Sequence, residues 1–355
     1  MAIIRVLVVD DSSVVRTVLA RELSKDSELE VVGSAPDAFV ARDKIVALRP
    51  DVITLDIEMP KMDGLTFLRK LMEWFPIPVV IVSGLTPKGC SLSMEALEIG
   101  AVEVIEKPSL TDERALADFS TRLIDTVKAA SHVKFNQGAI HARAPQPQPT
   151  AAAGLFPAKP SGKAMGRTTN KLVAIGASTG GTEALKKILE RMPTDCPPIM
   201  IVQHMPGTFT KAFAERLNRQ TPIEVLEAED GMELKQGRAI IGNGNLHLLV
   251  RKAGAKWVAE TRDGPLVCRH KPSVEVLFNS FAKNVGSLAI GVMLTGMGRD
   301  GADAMKNMKD AGARTLAQDE KSCVVFGMPK EAIKTGAVEK IVPLDMVTDS
   351  VISLL

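Results

Sequence analysis

The chain has 355 residues, about twice the usual length of a single domain, so two compact cores are expected. Apolar residues make up 45% and charged residues 24%, and 44 basic against 42 acidic side chains leave a net charge of only +2. This balance excludes a disordered or membrane-embedded chain and supplies no field that would draw the protein to nucleic acid or an anionic bilayer.

At the N-terminus, the apolar run Ile3 to Val9 is interrupted by Arg5 and followed by Asp10-Asp11, unlike a signal peptide. No run approaches the ~20 apolar residues of a membrane span. Cys90, Cys196, Cys268 and Cys323 lie far apart, with no C-x-x-C pair, as in a reduced protein. The expectation is a cytoplasmic location, no membrane insertion and no nucleic-acid partner.

Short β-rich runs then alternate with helix-like stretches: Val6 to Val9, Val31 to Gly33, Val52 to Leu55, Val79 to Val82 and Val102 to Ile105. This alternation predicts an α/β domain with a five-stranded parallel sheet. In such sheets ligands bind at the carboxyl edge. Asp10 and Asp11 end the first run, Asp56 the third and Ser83 the fourth, while Lys107 follows the fifth. Clustered carboxylates repel one another unless a hard cation lies between them, and Mg²⁺ suits oxygen ligands. Asp10, Asp11 and Asp56 form the cluster; Asp11, Asp56 and the backbone carbonyl of Glu58 are the expected direct ligands. A cation there neutralises an incoming phosphoryl group, Lys107 and Ser83 contact its oxygens, and Asp56 is the acceptor. The plainer alternative, that these acids simply cap helices, is weakened by the coincidence of five strand ends.

Val8-Val9-Asp10-Asp11-Ser12, Leu55-Asp56-Ile57-Glu58-Met59-Pro60, Met62-Asp63-Gly64, Ser83 and Lys107-Pro108 together resemble a response-regulator receiver domain. The resemblance covers about the first 125 residues and implies a flavodoxin-like fold phosphorylated on Asp56 with Mg²⁺. That family usually carries an aromatic residue three positions before the lysine, coupled in rotamer to the Ser/Thr. Val104 stands there instead, a departure that counts against aromatic coupling as the internal relay but not against phosphorylation itself.

No acidic residue occurs between Asp125 and Glu183, and the interval contains Ala144-Pro-Gln-Pro-Gln-Pro-Thr-Ala-Ala-Ala-Gly. Such composition cannot bury a core and reads as a semi-extended linker. The expected organisation is a receiver over 1–125, a linker over 126–167 and a second domain over 168–355. In that domain Leu172 to Ile175, Ile199 to Val202 and Leu288 to Leu294 are strand-like. Asp230-Gly231 and Gly242-Asn243-Gly244 punctuate shorter alternating runs, Arg238 to Ile241 and Leu246 to Val250. These predict a second doubly wound α/β domain with an antiparallel hairpin.

Gly176-Ala-Ser178-Thr-Gly180 fits the spacing of a nucleophile elbow between a strand and a helix, where small neighbours expose the serine oxygen. Serine needs a base oriented by an acid. His204 follows the Ile199 run and Asp300 follows the Leu288 run, so Ser178, His204 and Asp300 meet at one edge if the strands are neighbours. Each has a structural alternative: Ser178 or Asp300 as a helix cap, His204 as a satisfied strand-end histidine. His247 is the rival base, but it lies inside an alternating strand pattern. Gly180-Gly181 could instead cradle a phosphate, yet neither the Walker lysine nor G-x-G-x-x-G spacing is present.

Ile175-Gly-Ala-Ser-Thr-Gly-Gly-Thr, Gln203-His-Met-Pro, His270-Lys-Pro-Ser-Val and Leu294-Thr-Gly-Met-Gly-Arg-Asp-Gly-Ala resemble the catalytic domain of the chemotaxis protein-glutamate methylesterases, the CheB family. Where that family usually shows Ala-Pro-Gly, Ile241-Gly-Asn-Gly-Asn stands here. The resemblance implies hydrolysis of glutamate γ-methyl esters on chemoreceptors and deamidation of particular receptor glutamines. It also implies an oxyanion site at Thr179 and near Met297, no cofactor in the hydrolase site, and control by a chemotaxis sensor histidine kinase acting on Asp56. The competing functions are a phosphorylation-gated binding module without catalysis and a DNA-binding response regulator; the second half shows no compact helix-turn-helix for the latter.

Overall fold

The structure is a computed structural model, and it describes residues 3–84, 87–107, 113–133, 164 and 169–355. The chain divides into two compact units, within Met1–Ala158 and Lys159–Leu355. Nearly all of the expected linker lies outside the described residues.

The first unit alternates β1 (Ile4–Val9), α1 (Ser13–Leu23), β2 (Leu29–Ala35), α2 (Ala38–Leu48), β3 (Val52–Leu55), α3 (Gly64–Trp74), β4 (Val79–Ser83), α4 (Pro87–Ile99), β5 (Glu103–Glu106) and α5 (Glu113–Ser131). Every strand pairing is parallel and the order is β2-β1-β3-β4-β5. The chain reverses direction between β1 and β3, which makes their carboxyl ends the switch point of the sheet. β3 and β4 are buried throughout, as strands covered by helices on both faces must be. Helix starts are fixed by side-chain caps: Ser12 Oγ accepts from Val15 N, Asp37 from Phe39 N and Val40 N, and Asp63 from Thr66 N. α5 continues to Ser131, past the expected domain end at 125, because Val127, Ala129 and Ala130 are still buried.

The second unit contains β6 (Leu172–Ala177), α6 (Gly181–Glu190), β7 (Ile199–Gln203), α7 (Gly207–Gln220), β8 (Glu224–Glu227), β9 (Arg238–Ile241), β10 (His247–Ala253), β11 (Lys256–Arg262), α8 (Val274–Asn284), β12 (Ala289–Met293), α9 (Ala302–Asp310), β13 (Arg314–Gln318), α10 (Met328–Lys334), β14 (Lys340–Val342) and α11 (Val347–Ser353). A seven-stranded, wholly parallel sheet runs β14-β13-β12-β6-β7-β9-β8. β6 lies where the winding reverses, so its carboxyl end is the second switch point. The antiparallel hairpin is β10 with β11, His247 facing Arg262. Arg238 to Ile241 is not part of it: β9 pairs in parallel with β7, and its Ala239, Ile240 and Ile241 are all buried.

Phe278 and Phe281 on α8 are completely buried against Leu248 and Val250 of the hairpin and Met305 and Met308 of α9. Truncating either phenylalanine to alanine should cost about 3–5 kcal/mol. The hairpin is also tied to α8 by Ser280 Oγ accepting from Val250 N (3.0 Å) and Asn284 Nδ2 donating to Val250 O (2.8 Å). α8 is thereby held rigidly, and its first turn belongs to the site.

Candidate active site and phosphoacceptor pocket

In the first unit, Asp10 and Asp56 are almost wholly buried, and Asp11 is exposed beside them. One oxygen from each of the three lies within 4.8 Å of the others. They do not cap helices; Ser12 and Asp63 do that for α1 and α3. Lys107 reaches in from the end of β5, its Nζ 2.8 Å from Asp10 Oδ2 and 2.7 Å from Asp56 Oδ2. Ser83 is fully buried at the end of β4, with its Oγ unpartnered. Lys107 N donates to Ser83 O (2.8 Å), which brings both side chains to the same edge. Glu58 is exposed, and its N–H donates to Asp56 Oδ1 at 3.3 Å. Gly64 is required where α3 begins, since a side chain there would meet the backbone of Asp56 and Ile57.

Burial raises the Asp56 carboxyl above the ordinary carboxylate range, and the Asp10 charge adds to this against the opposing pull of Lys107. Burial works against the Lys107 charge, but its bonds to Asp10 and Asp56 prevail and raise it. A hard, carboxylate-lined cluster of this kind fits Mg²⁺.

In the second unit, β12, β6 and β7 are consecutive neighbours. Ala177 is registered with Gln203, and Met293 with Gly176, so Ser178, His204 and Asp300 all lie just beyond the same edge. Ser178 does not cap α6: the cap is Gly180, left-handed at φ 76°, with no side-chain bond. Ser178 N donates to Thr295 O (3.0 Å), and Gly181 N donates to Ser178 O (2.7 Å). Gln203, fully buried, donates from Nε2 to the carbonyls of Ser178 (3.0 Å) and His204 (3.2 Å). One amide therefore pins the elbow and the histidine backbone together. Space is tight: a Cβ on Gly180 would stand 2.5 Å from Val324 Cβ, and one on Gly296 would stand 2.7 Å from Ser178 Cβ.

His204 Nε2 lies 2.8 Å from Asp300 Oδ2, whereas its buried Nδ1 has no hydrogen bond. With Nε2–H donating to the Asp300 carboxylate, Nδ1 is the free basic nitrogen. Asp300 does not cap its own helix, since Gly301 precedes α9. It caps α8 instead: Ser273 Oγ donates to Oδ1 (2.7 Å), Val274 N to Oδ2 (2.8 Å) and Glu275 N to Oδ1 (3.0 Å). Burial penalises the Asp300 charge, but the His204 bond and charge, then Ser273 and Glu275, outweigh it and hold the carboxyl below the ordinary range. Helix N-termini favour such a charge.

His247 is satisfied on both sides, with Nε2 2.9 Å from Pro265 O and Nδ1 accepting from Ser273 N at 3.3 Å. It packs and anchors the start of α8. Thr179 is buried and its carbonyl accepts from Thr295 Oγ1 (3.0 Å); Met297 is half-buried beyond Gly296, whose N–H goes to Val325 O (3.0 Å).

A further layer covers the histidine. Val267 and His270 exchange backbone bonds of 3.1 and 2.9 Å around a turn whose central residues, Cys268 (φ 50°) and Arg269 (φ 68°), are both left-handed. Such conformations in non-glycine residues cost about 1–3 kcal/mol each and gather at functional sites. The His270 ring stacks on His204, with centroids 3.6 Å apart and planes 11° from parallel. The Cys268 thiol lies within hydrogen-bonding reach of Asp300; burial, then the charges of Asp300 and Glu275, push it up to about 11. Ser273, Gln203 and His270 escaped assignment from sequence, although all three belong to quoted motifs.

These two units define a receiver joined to an α/β hydrolase domain. The model of the CheB methylesterase family matches residues 173–351, and that of the response regulator receiver domain matches residues 6–118. The protein-glutamate methylesterase/protein-glutamine glutaminase 2 of Syntrophus aciditrophicus is 52% identical over 354 residues, covering all of both chains. A protein-glutamate methylesterase/protein-glutamine glutaminase of Geobacter metallireducens is 51% identical over 99% of each. The crystal structure of the Thermotoga maritima CheB methylesterase catalytic domain matches 53% of this chain and all of that one, at 36% identity and a TM-score of 0.52. The chain belongs to the CheB methylesterase family, with an N-terminal receiver domain. Among the described residues, no helix is long and apolar enough to cross a membrane.

Proposed function

We propose that this protein hydrolyses glutamate γ-methyl esters on chemoreceptors, releasing methanol, and deamidates particular receptor glutamines, with its receiver setting the rate. The receiver occupies 1–125 together with the rest of α5, the linker follows to 167, and the hydrolase runs over 168–355. The observation that carries the reading is the histidine at the switch-point edge: His204 Nε2 is bound to Asp300, Nδ1 is buried and unpartnered, and the His204 N–H donates to Ala177 O, the last residue before Ser178.

Ser178 Oγ attacks the ester carbonyl as His204 Nδ1 takes its proton, and the backbone donors at Thr179 and Met297 meet the oxyanion. Collapse breaks the carbon–oxygen bond to the methoxy group, which leaves as methanol with the proton from His204. Water then gives a proton to the same nitrogen and attacks the acyl-serine, and release of the carboxylic acid restores Ser178. With a glutamine the leaving molecule is ammonia. Asp300 keeps the imidazole in the required tautomer throughout. The hydrolase chemistry needs no cofactor.

In the receiver, Asp56 accepts the phosphoryl group from a chemotaxis sensor histidine kinase, and Lys107 and Ser83 meet its oxygens. Asp10, Asp11, Asp56 and the Glu58 carbonyl would hold Mg²⁺, which when bound supplies neutralising charge for the transfer. Only the chemoreceptors and the kinase are required as partners, all acting on the cytoplasmic side. The test is methanol release from methylated receptor membranes, with the intact chain and Ser178→Ala, each with and without a small-molecule phosphodonor and Mg²⁺. Release should require Ser178 and rise with phosphodonor; undiminished release by Ser178→Ala overturns the hydrolytic assignment.

A further inference from the structure

We infer that His270 is a positioning residue for the base: its ring, laid flat on His204 by the left-handed turn at Cys268-Arg269, fixes the plane of the imidazole and with it the direction of the unpartnered Nδ1. This inference rests on the assignment of His204 as the base and goes one step beyond it.

Asp300 alone does not determine that plane. A single bond from Nε2 to one carboxylate oxygen leaves the imidazole free to swing about the hydrogen-bond axis, and Nδ1, with no partner of its own, offers no second restraint. The face contact with His270, at 3.6 Å and 11° from parallel, removes that freedom. The stack is itself well founded. The bridge from Val267 to His270 closes a turn that holds two non-glycine residues in the left-handed region, a conformation that persists only where the surroundings impose it. Three residues further on, Ser273 donates to Asp300, so one short segment, Val267 to Ser273, supports the base from its face and the acid from its far side.

The charged and titratable groups around the stack are Asp300 from the loop before α9, Cys268 on the same turn, Glu275 on the first turn of α8, and Arg299, whose charge acts on Cys268. Lys271 points to Asp263, with Nζ 2.8 Å from Oδ1. The neighbouring imidazole is therefore the cationisable group against the face of His204. It can carry a positive charge itself, and two stacked imidazolium rings repel. A phenyl ring in its place would keep the stack but attract the imidazolium through its π face.

The test uses the full chain, activated by phosphodonor and Mg²⁺, with methylated receptor membranes as substrate. Methanol release is measured from pH 5 to 9 for the wild type, His270→Phe and His270→Ala, with thermal melts of each and Ser178→Ala as the control. In His270→Ala the plateau kcat should fall about 10- to 100-fold, the scale of a misplaced reacting group, with little change in KM. In His270→Phe the plateau should stay within about 3-fold of wild type while the acid limb moves to higher pH, because a favoured imidazolium must lose its proton before it can act as base. His270→Ala with unchanged kcat, or His270→Phe with an unmoved acid limb, overturns the inference. So does equal loss in both variants with unchanged melts, which would assign the role to a ring nitrogen and not to the ring face. If His270→Ala does not fold, His270→Phe decides alone. Activity surviving in Ser178→Ala would instead remove the hydrolytic reading, so the two failures are separable.

Discussion

Replacing Asp300 by asparagine tests the site and the fold through the same atoms. The carboxylate accepts four bonds, two on each oxygen: Ser273 Oγ and Glu275 N on Oδ1, His204 Nε2 and Val274 N on Oδ2. An amide has one oxygen. If it faces Ser273 and Glu275, its NH₂ confronts the Val274 N–H, donor against donor, and can satisfy His204 only when Nε2 is unprotonated. His204 then carries its proton on Nδ1, where it cannot accept one from Ser178. Loss of the correct tautomer in a serine triad costs about 10⁴ in kcat. The orphaned Val274 N–H costs about 1–3 kcal/mol, and loss of the charge at the α8 N-terminus a further ~0.3–2 kcal/mol. The expected variant is therefore inactive and less stable by about 1–5 kcal/mol. Methanol release under saturating substrate, with urea unfolding of the same preparation, gives both numbers. A variant retaining more than a tenth of wild-type kcat would show that Asp300 does not set the tautomer. Full stability would show that it does not cap α8.

Gly296→Ala places a Cβ in collision with Met328 Sδ and 2.7 Å from Ser178 Cβ, so kcat should fall about 100-fold and the melting temperature should fall with it, as paired melts and methanol assays will show. Asp56→Asn should abolish phosphodonor activation yet raise the melting temperature by roughly 2–4 °C; the raised carboxyl means that ionised Asp56 disfavours the fold as pH rises, and the amide removes that charge. For Asp300 the sign is opposite: its lowered carboxyl stabilises the fold above the unfolded carboxylate range, and this is lost as pH falls through the folded value. The stability gap between wild type and Asp300→Asn should accordingly shrink below about pH 4, measured by urea midpoints at stepped pH.

The strand ends were legible because each chemical residue follows directly on a β-rich run, and a parallel sheet collects such positions on one edge. Ser178, His204 and Asp300 needed only that rule. Their helpers obey no local rule. Ser273 has the sequence environment of an ordinary helix cap, yet its hydroxyl goes to Asp300 and its N–H to His247. Gln203 reads as the last residue of a strand, and only the register of β7 against β6 turns its amide toward the Ser178 carbonyl. β9 was misread for a related reason: four residues of a doubly covered parallel strand are too few to separate continuous burial from alternation.

The helix cap supplied by Asp300 links stability and chemistry more closely than a triad drawn as three side chains conveys. A capping acid is normally local and dispensable at about 1 kcal/mol. Here the cap comes from the next strand's loop, and the cap's second oxygen is the one that holds the base. Any shift of α8 relative to β12 must move the histidine's partner with it. α8 in turn is clamped by Phe278 and Phe281 against the hairpin, so the hairpin, far from the serine in sequence, bears on the orientation of the base through packed side chains. Core substitutions on α8 should thus lower kcat beyond what their loss of folded protein explains, whereas equally destabilising substitutions on α11, which packs on α6, should not.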